Sequence, residues 1–279
     1  RYVAMDNDLK NKITLAAAEM RCDVIKMTYS VGNQGAHVGG SLSLIELLAT
    51  LYVGVIKIDN LRPHWEERDR VILSKGHGAM ALYAALCQIG YIQKEDLTKY
   101  KSNDTFLSAH TIRDISMGLE FASGSLGQGL SLGVGVCIGL RKKNNNSSRV
   151  FVIQGDGEID EGSVWEAAAS AAHHKLHNLV TIIDKNNLQY DGLTSNVLSM
   201  ENLSEKWRSF GWDVCEIDGH NIAAIFNALT MAHSKPRAVI AGTIKGKGVS
   251  FIENDYRWHH ARLTKEQYEQ ALREQGVVL

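Results

Sequence analysis

Three short apolar runs, Val150 to Ile153, Leu179 to Ile183 and Ala238 to Ala241, occupy the second half of the chain, and segments of helical spacing lie between them, Ser163 to His174, Leu203 to Phe210 and Asn221 to Ala232. A run that is apolar at every position leaves no side for water, so these are central strands, and their alternation with helices implies a parallel sheet covered on both faces. Trp212 to Ile217 reads as a further strand, and Val71 to Leu73 as another with a helix from Gly76 to Ile89 behind it. The expected fold class is therefore α/β, a parallel sheet flanked by helices on both faces. At 279 residues, with two prolines (Pro63, Pro236), no repeat and no linker-like stretch, residues 1–279 are expected to form a single domain around one core. In such sheets ligands bind beyond the carboxyl ends of the strands.

Elsewhere, Leu9, Ile13, Ala16, Ala17, Met20, Val24 and Met27 recur at helical spacing, which predicts a first helix over Asp6 to Ser30. A glycine-rich loop, Gly32 to Gly40, follows, with Ser41 or Ser43 as the expected cap of a helix reaching about Leu51. Ser123 to Leu140 is expected to be a helix that begins on small residues and uses its glycines for close packing. Lys plus Arg is 30 and Asp plus Glu 31, a net charge of −1, which supplies no field for nucleic acid or an anionic membrane. Cys22, Cys87, Cys137 and Cys215 are far apart, with no C-x-x-C pair, and read as buried thiols of a reduced compartment. No run approaches the roughly 20 apolar residues of a membrane span. A soluble, cytoplasmic chain is expected, one that opens at Arg1 and so lacks an initiator methionine.

Function must then reside in local sites, and the acidic one stands out. Gly155-Asp-Gly-Glu-Ile-Asp-Glu-Gly162 directly follows the run ending at Gln154. Asp156, at a strand end and flanked by glycines that let phosphate oxygens approach the backbone, offers one hard oxygen ligand to Mg2+ or Ca2+. Thirty positions downstream, Asp184-Lys-Asn-Asn187 leaves the next strand with amide side chains suited to the same ion. Few protein ligands, with substrate phosphates and water completing an octahedron, is the habit of Mg2+. Glu158 and Asp160 are read as helix-start charges favoured by the dipole, and His173, His174 and His177 as residues facing solvent or the sheet.

G-D-G followed by N-N resembles the thiamin-diphosphate fingerprint, and the intervening Glu161-Gly-Ser-Val-Trp-Glu-Ala resembles its continuation in transketolases. Further segments are similar to that family in family order: Gly35-Ala-His-Val-Gly-Gly-Ser-Leu-Ser43, Asp69-Arg-Val-Ile-Leu-Ser-Lys-Gly-His-Gly78, Gly124-Ser-Leu-Gly-Gln-Gly129, and Thr243-Ile-Lys-Gly-Lys-Gly248 with Trp258-His259. The resemblance covers most of the chain.

By carry-over it implies Asp156, Asn186 and the Leu188 carbonyl as metal ligands, and Gly155 and Gly157 against the diphosphate. Gly124 and Leu126 would border the aminopyrimidine. Glu161 and Glu166 would stand near an intersubunit contact, with Glu161, His77 and His259 joining the cofactor-binding set. His37, His77, His110 and His259 would line the funnel to the thiazolium, where groups titrating near neutrality can take a donor hydroxyl proton and return one to the acceptor aldehyde. Departures are Val38 for proline, Thr111-Ile-Arg113 after His110, and His260 for glycine. These imply a donor site altered from the ordinary pentose-phosphate one, with Arg113 as a candidate substrate contact. With the sequence ending at Leu279, the family's pyrimidine-binding domain and its activating glutamate are expected to come from another polypeptide. The resemblance is thus to the N-terminal subunit of a two-component transketolase, transferring a two-carbon ketol unit between sugars or sugar phosphates, completed by a separate C-terminal-type subunit in a heterotetramer. A deoxyxylulose-phosphate-synthase-like enzyme using pyruvate and a non-catalytic module that keeps the fold are the alternatives. A dinucleotide dehydrogenase is disfavoured, since Gly242 to Gly248 lacks the G-x-G-x-x-G spacing.

Overall fold

The computed structural model describes residues 5–278. Its strands are β1 (Arg70–Leu73), β2 (Val150–Gly155), β3 (Leu179–Lys185), β4 (Asp213–Asp218) and β5 (Arg237–Gly242), and they form one sheet in the order β1-β2-β3-β5-β4 with every neighbouring pair parallel. Helices α1 (Asn7–Ser30), α2 (Val38–Leu42), α3 (Ile45–Ala49), α4 (Ala79–Gln88), α5 (Gly129–Lys142), α6 (Gly162–His173), α7 (Thr194–Val197), α8 (Leu203–Ser209), α9 (Ile222–Thr230) and α10 (Lys265–Glu274) connect and cover it.

Two cores show why β2 and β3 are apolar on both faces along most of their length. Phe151 and Ile153 of β2, with Val180 and Ile182 of β3, point to a core built with α1 to α4 and α9. Val150 and Val152, with Leu179 and Ile183, point to the opposite core under α5, α6 and α8. The two-residue period of a strand divides one run between two layers. Each such side chain, fully buried, contributes about 1.5–3 kcal/mol relative to exposure.

α1 starts where Asp6 caps it, the carboxylate accepting from the Leu9 amide at 2.7 Å. Three expectations need correction. α2 begins at Val38, before either serine, and α3 follows without a side-chain cap: the Ser41 hydroxyl bonds back to the His37 carbonyl at 2.9 Å and the Ser43 hydroxyl gives its one proton to the Asp184 carboxylate at 2.6 Å, so neither caps a helix. The helix expected from Ser123 starts at Gly129, since Gly124 (φ +148°) and Gly127 (φ +80°) hold the chain outside helical space. Of the four cysteines, all free, only Cys137 is fully buried; Cys22, Cys87 and Cys215 are half-buried. Among the described residues no helix is long and apolar enough to cross a membrane.

Candidate active site

Register brings the two strand ends together. β2 and β3 are hydrogen-bonded neighbours with Gly155 opposite Asp184, and the Asp156 amide donates to the Asp184 carbonyl at 3.2 Å. Asp156 is buried. Its Oδ1 accepts from Gly157 N at 2.9 Å and its Oδ2 from the Asn187 amide. Asn187 can turn that amide back because it adopts φ +62°, a left-handed conformation that asparagine tolerates. Asn186 Oδ1 accepts from Leu188 N at 3.1 Å, and the Leu188 carbonyl accepts from Lys245 Nζ at 3.0 Å. Asp156, Asn186 and Leu188 border one cavity of about 170 Å3, whose wall also carries Lys75, Lys245, His77 and His259. Gly157 fits closely here: a Cβ on it would lie 2.7 Å from the Gln189 side chain.

Beneath the cavity lies a network that the motifs did not announce. Asp184 is fully buried and paired with Lys75 Nζ, itself 1 % exposed, while the hydroxyls of Ser43 and Thr243 also donate to its carboxylate. Burial would raise the Asp184 carboxyl, but Lys75 and the two hydroxyls outweigh it and hold it below the ordinary range. Asp156 goes the other way: burial first, then the Asp184 charge, push it up to about 6. Lys245 is lowered to about 8 by burial and by Lys75. Glu158 opens a short 3-10 turn, Glu158–Asp160, as its helix-start reading expects, but it is also buried and accepts from the Ser74 hydroxyl, Gly127 N (2.8 Å) and Gly155 N (3.0 Å), which the sequence did not announce.

Above the cavity the four motif histidines come together around His37. Its ring centroid lies 5.8 Å from that of His77, 5.4 Å from His110 and 5.5 Å from His259, and His77 and His259 are 5.0 Å apart. Burial, followed by neighbouring cations and histidines, lowers His37 and His259 to about 3, with His77 also well below its ordinary value. His110 is lowered by burial and by Lys101. These imidazoles are neutral at pH 7, each with one donor and one acceptor nitrogen. Lys245 Nζ sits 3.0 Å from His259 Nδ1 and links the wall to the oxygens below.

Among the other sequence candidates, Gly155 and Leu126 border the cavity, whereas Gly124 and Glu161 lie outside it. Gly124 backs the His110 ring, and the exposed Glu161 presses its stem on Gly127. Arg113 belongs to a different cavity, with Arg68 and Glu120. His173, His174 and His177 are exposed. Sequence reasoning missed Lys75, Asp184, Lys245 and Tyr190, whose ring stands edge-on to His259 at 5.3 Å, while His260, singled out as a departure, lies 4.6 Å from His37. The available signal for the lysines was a cation inside an otherwise apolar or glycine-rich run, Ser74-Lys-Gly and Ile244-Lys-Gly.

Residues 16–278 match the family "Transketolase, thiamine diphosphate binding domain". The chain belongs to the transketolase family. Relatives of this transketolase chain include the 6-deoxy-6-sulfo-D-fructose transketolase subunit of a Clostridium species, 43% identical over 248 residues, 88% of this chain and 90% of the relative. An apulose-4-phosphate transketolase subunit of Phocaeicola vulgatus is 38% identical over 265 residues, 94% of this chain and 93% of the relative. Among solved structures, transketolase from Campylobacter jejuni superposes with a TM-score of 0.85 at 27% identity, covering 98% of this chain and 43% of that one. Transketolase from Leishmania mexicana gives 0.85 at 27% identity, covering 95% and 41%. The chain therefore spans about two fifths of those solved transketolases and nine tenths of the subunit relatives. It is a thiamine diphosphate-binding component of a transferase.

Proposed function

We propose that the chain, as a single diphosphate-binding domain, is the N-terminal subunit of a two-component transketolase that moves a two-carbon ketol unit from a ketose or ketose-phosphate donor to an aldose acceptor. The observation that carries this is the convergence of Asp156, Asn186 and the Leu188 carbonyl, from two adjacent strand ends, on a cavity walled by His77 and His259. The donor set fits a divalent cation: carboxylate, amide and peptide oxygens are hard ligands of the kind Mg2+ takes, and Ca2+ accepts the same set. Among the described residues no group of three or more His, Cys, Asp or Glu is placed to hold a metal ion, so a cation site here would rest on mixed oxygens. A carboxylate pushed up to about 6 beside a second carboxylate is a position that a cation would relieve.

In this reading Asp156, Asn186 and the Leu188 carbonyl would hold the cation, and Gly155, Gly157 and Lys245, which line the same cavity, would lie toward the diphosphate it binds. When bound, the thiazolium of that cofactor supplies the electron sink for carbon–carbon cleavage. The chain's own work is positioning and proton handling. His37, His77, His110 and His259, held neutral, accept a hydroxyl proton from the donor and return one to the acceptor oxygen. Gly124 and Leu126 border the pyrimidine end, and Glu161, with Glu166, faces an intersubunit contact. The names of the two relatives support a separate C-terminal-type partner, and a heterotetramer in the cytoplasm is the assembly proposed.

The test combines this chain, its partner polypeptide, thiamin diphosphate and Mg2+, and follows ketol transfer and cofactor binding. Asp156→Ala is expected to weaken Mg2+-dependent cofactor binding by more than the roughly 10–100-fold typical of losing an outer-shell partner. Unaltered binding in that variant, or pyruvate turnover in place of ketol transfer, sinks the proposal.

A further inference from the structure

Lys245 reaches the cavity from a short segment that is held on both sides. Its Nζ donates to the Leu188 carbonyl at 3.0 Å and lies 3.0 Å from His259 Nδ1, so its placement bears on a peptide oxygen and an imidazole of the site together. One residue before it, the Ile244 amide donates to His220 Nε2 at 2.8 Å. Two residues after it, the Lys247 carbonyl accepts from Arg21 Nη1 at 2.9 Å. Both of these side chains converge on one carboxylate, since His220 Nδ1 is 2.8 Å from Glu46 Oε2 and Arg21 Nη2 is ion-paired with Glu46 Oε1.

The bond from Ile244 settles which nitrogen of His220 carries the proton. A backbone N–H can only donate, so Nε2 is the acceptor, and a neutral ring then bears its hydrogen on Nδ1, where the Glu46 carboxylate receives it. Glu46 thereby keeps the ring in the one neutral form that can hold Ile244. Burial would raise the Glu46 carboxyl, but the His220 hydrogen bond and the Arg21 charge outweigh it and keep it below its ordinary range.

The three side chains come from separate parts of the fold. Arg21 stands on α1 and Glu46 on α3, both buried, and His220 on the turn between β4 and α9. Arg21 can lie against the segment because Gly248, at φ +90°, has no side chain: a Cβ there would fall 2.6 Å from Arg21 Cδ. Neither Arg21, Glu46 nor His220 borders the cavity that Asp156 and Asn186 share. The same segment also begins with Thr243, whose hydroxyl donates to Asp184. It is thus the piece of backbone that joins the buried floor network to the cavity lysine.

We propose that Glu46, acting through the Nδ1–H form of His220 and through Arg21, positions segment 243–247 so that Lys245 meets the Leu188 carbonyl and His259, and thereby sets the affinity of the cavity for a cation–diphosphate ligand. Arg21, Glu46 and His220 are positioning residues in this scheme. The identity of the ligand rests on the transketolase reading, but the clamp on Lys245 does not.

The experiment compares two replacements of one ring. In His220→Gln the side-chain oxygen stands where Nε2 stood and still accepts from Ile244; in His220→Asn the shorter amide stands where Nδ1 stood, faces Glu46, and leaves the Ile244 amide without its acceptor. In the holoenzyme assembled with its partner polypeptide, Mg2+-dependent affinity for thiamin diphosphate is expected to fall about tenfold in His220→Asn, as for loss of an outer-shell partner, and to be largely kept in His220→Gln. Equal losses in the two variants, or none in either, overturn the proposal. Two further readouts need no cofactor. In the wild-type chain the ring nitrogen resonances of His220 are expected to show a protonated Nδ1 and an unprotonated Nε2, and the reverse form overturns the proposal. The Cε1–H resonance of His259, which touches Lys245, is expected to move in His220→Asn and to stay in place in His220→Gln; no movement in either overturns the clamp. A wild type that shows the expected ring form, with the His259 movement in His220→Asn, yet binds no thiamin diphosphate leaves the clamp standing and defeats the transketolase reading instead.

Discussion

The floor and the wall of the cleft meet at one cavity, the floor through Lys75 and the wall through His77 and His259, yet they keep their polar groups out of water by opposite means. On the floor Asp184 stays charged because Lys75 is its ion-pair partner and Ser43 and Thr243 supply hydroxyls. On the wall His37, His77 and His259 stay neutral because burial and neighbouring cations disfavour the proton. A charged floor holds geometry against whatever lies above it. A neutral wall retains nitrogens that can still accept a proton, which a buried imidazolium would not.

The largest effect that would break this contrast is on the floor. Asp184→Ala leaves the Lys75 ammonium buried without its partner and is expected to lose about 3–5 kcal/mol in urea unfolding. The double variant Lys75→Met/Asp184→Leu should recover much of that, because an apolar pair replaces the ionic one. A single-variant loss near that of an exposed ion pair would show that the floor is solvated.

The wall is sharpened by a pH comparison. His37 titrates near 3 in the folded chain against an ordinary 6.5, so between those values the unfolded chain binds the extra proton. Stability from this group is complete above about pH 6.5 and drains away as pH falls toward 3. His37→Asn is therefore expected to show a smaller drop in urea midpoint between pH 7 and pH 5 than the wild type. Equal drops would mean that His37 is free to charge in the fold.

The smallest effect sets the scale. Asp6→Ala removes the cap of α1, remote from floor and wall, and should cost about 1 kcal/mol in the same unfolding assay while cofactor affinity stays at the wild-type value. A change in affinity there would mean that the two regions are not as local as their contacts imply.

The wall was more legible in the sequence than the floor. His37, His77, His110 and His259 stand in recognisable segments, and Asp156 and Asn186 mark strand ends, so their meeting follows from strand order. Asp184 could not be read as the centre of a network, because Ser43, Lys75 and Thr243 reach it from remote chain segments and converge only through packing. Lysine in a sequence reads as surface, and nothing in Ser74-Lys-Gly states that its ammonium is buried. Glu158 was legible only in part for the same reason: it does start a short helix, but only the approach of Ser74 and Gly127 makes it a buried tie. The central strands β2, β3 and β5 were legible since burial on two faces leaves nearly continuous apolar runs, whereas β4, at the sheet edge, is only partly buried and carries Asp213 and Glu216. The starts of α2 and α5 were not, since serine and glycine fit several backbone conformations.

The strand order carries a consequence for how the molecule matures. β4 has no hydrogen-bonded place until β5, made later, slides between it and β3. Lys245 and His259 follow β5 directly along the chain. During synthesis, then, the nascent polypeptide carries an orphan edge and half a pocket, and both are completed by one late insertion; a truncated product would lack the means to capture a coenzyme before the sheet has closed.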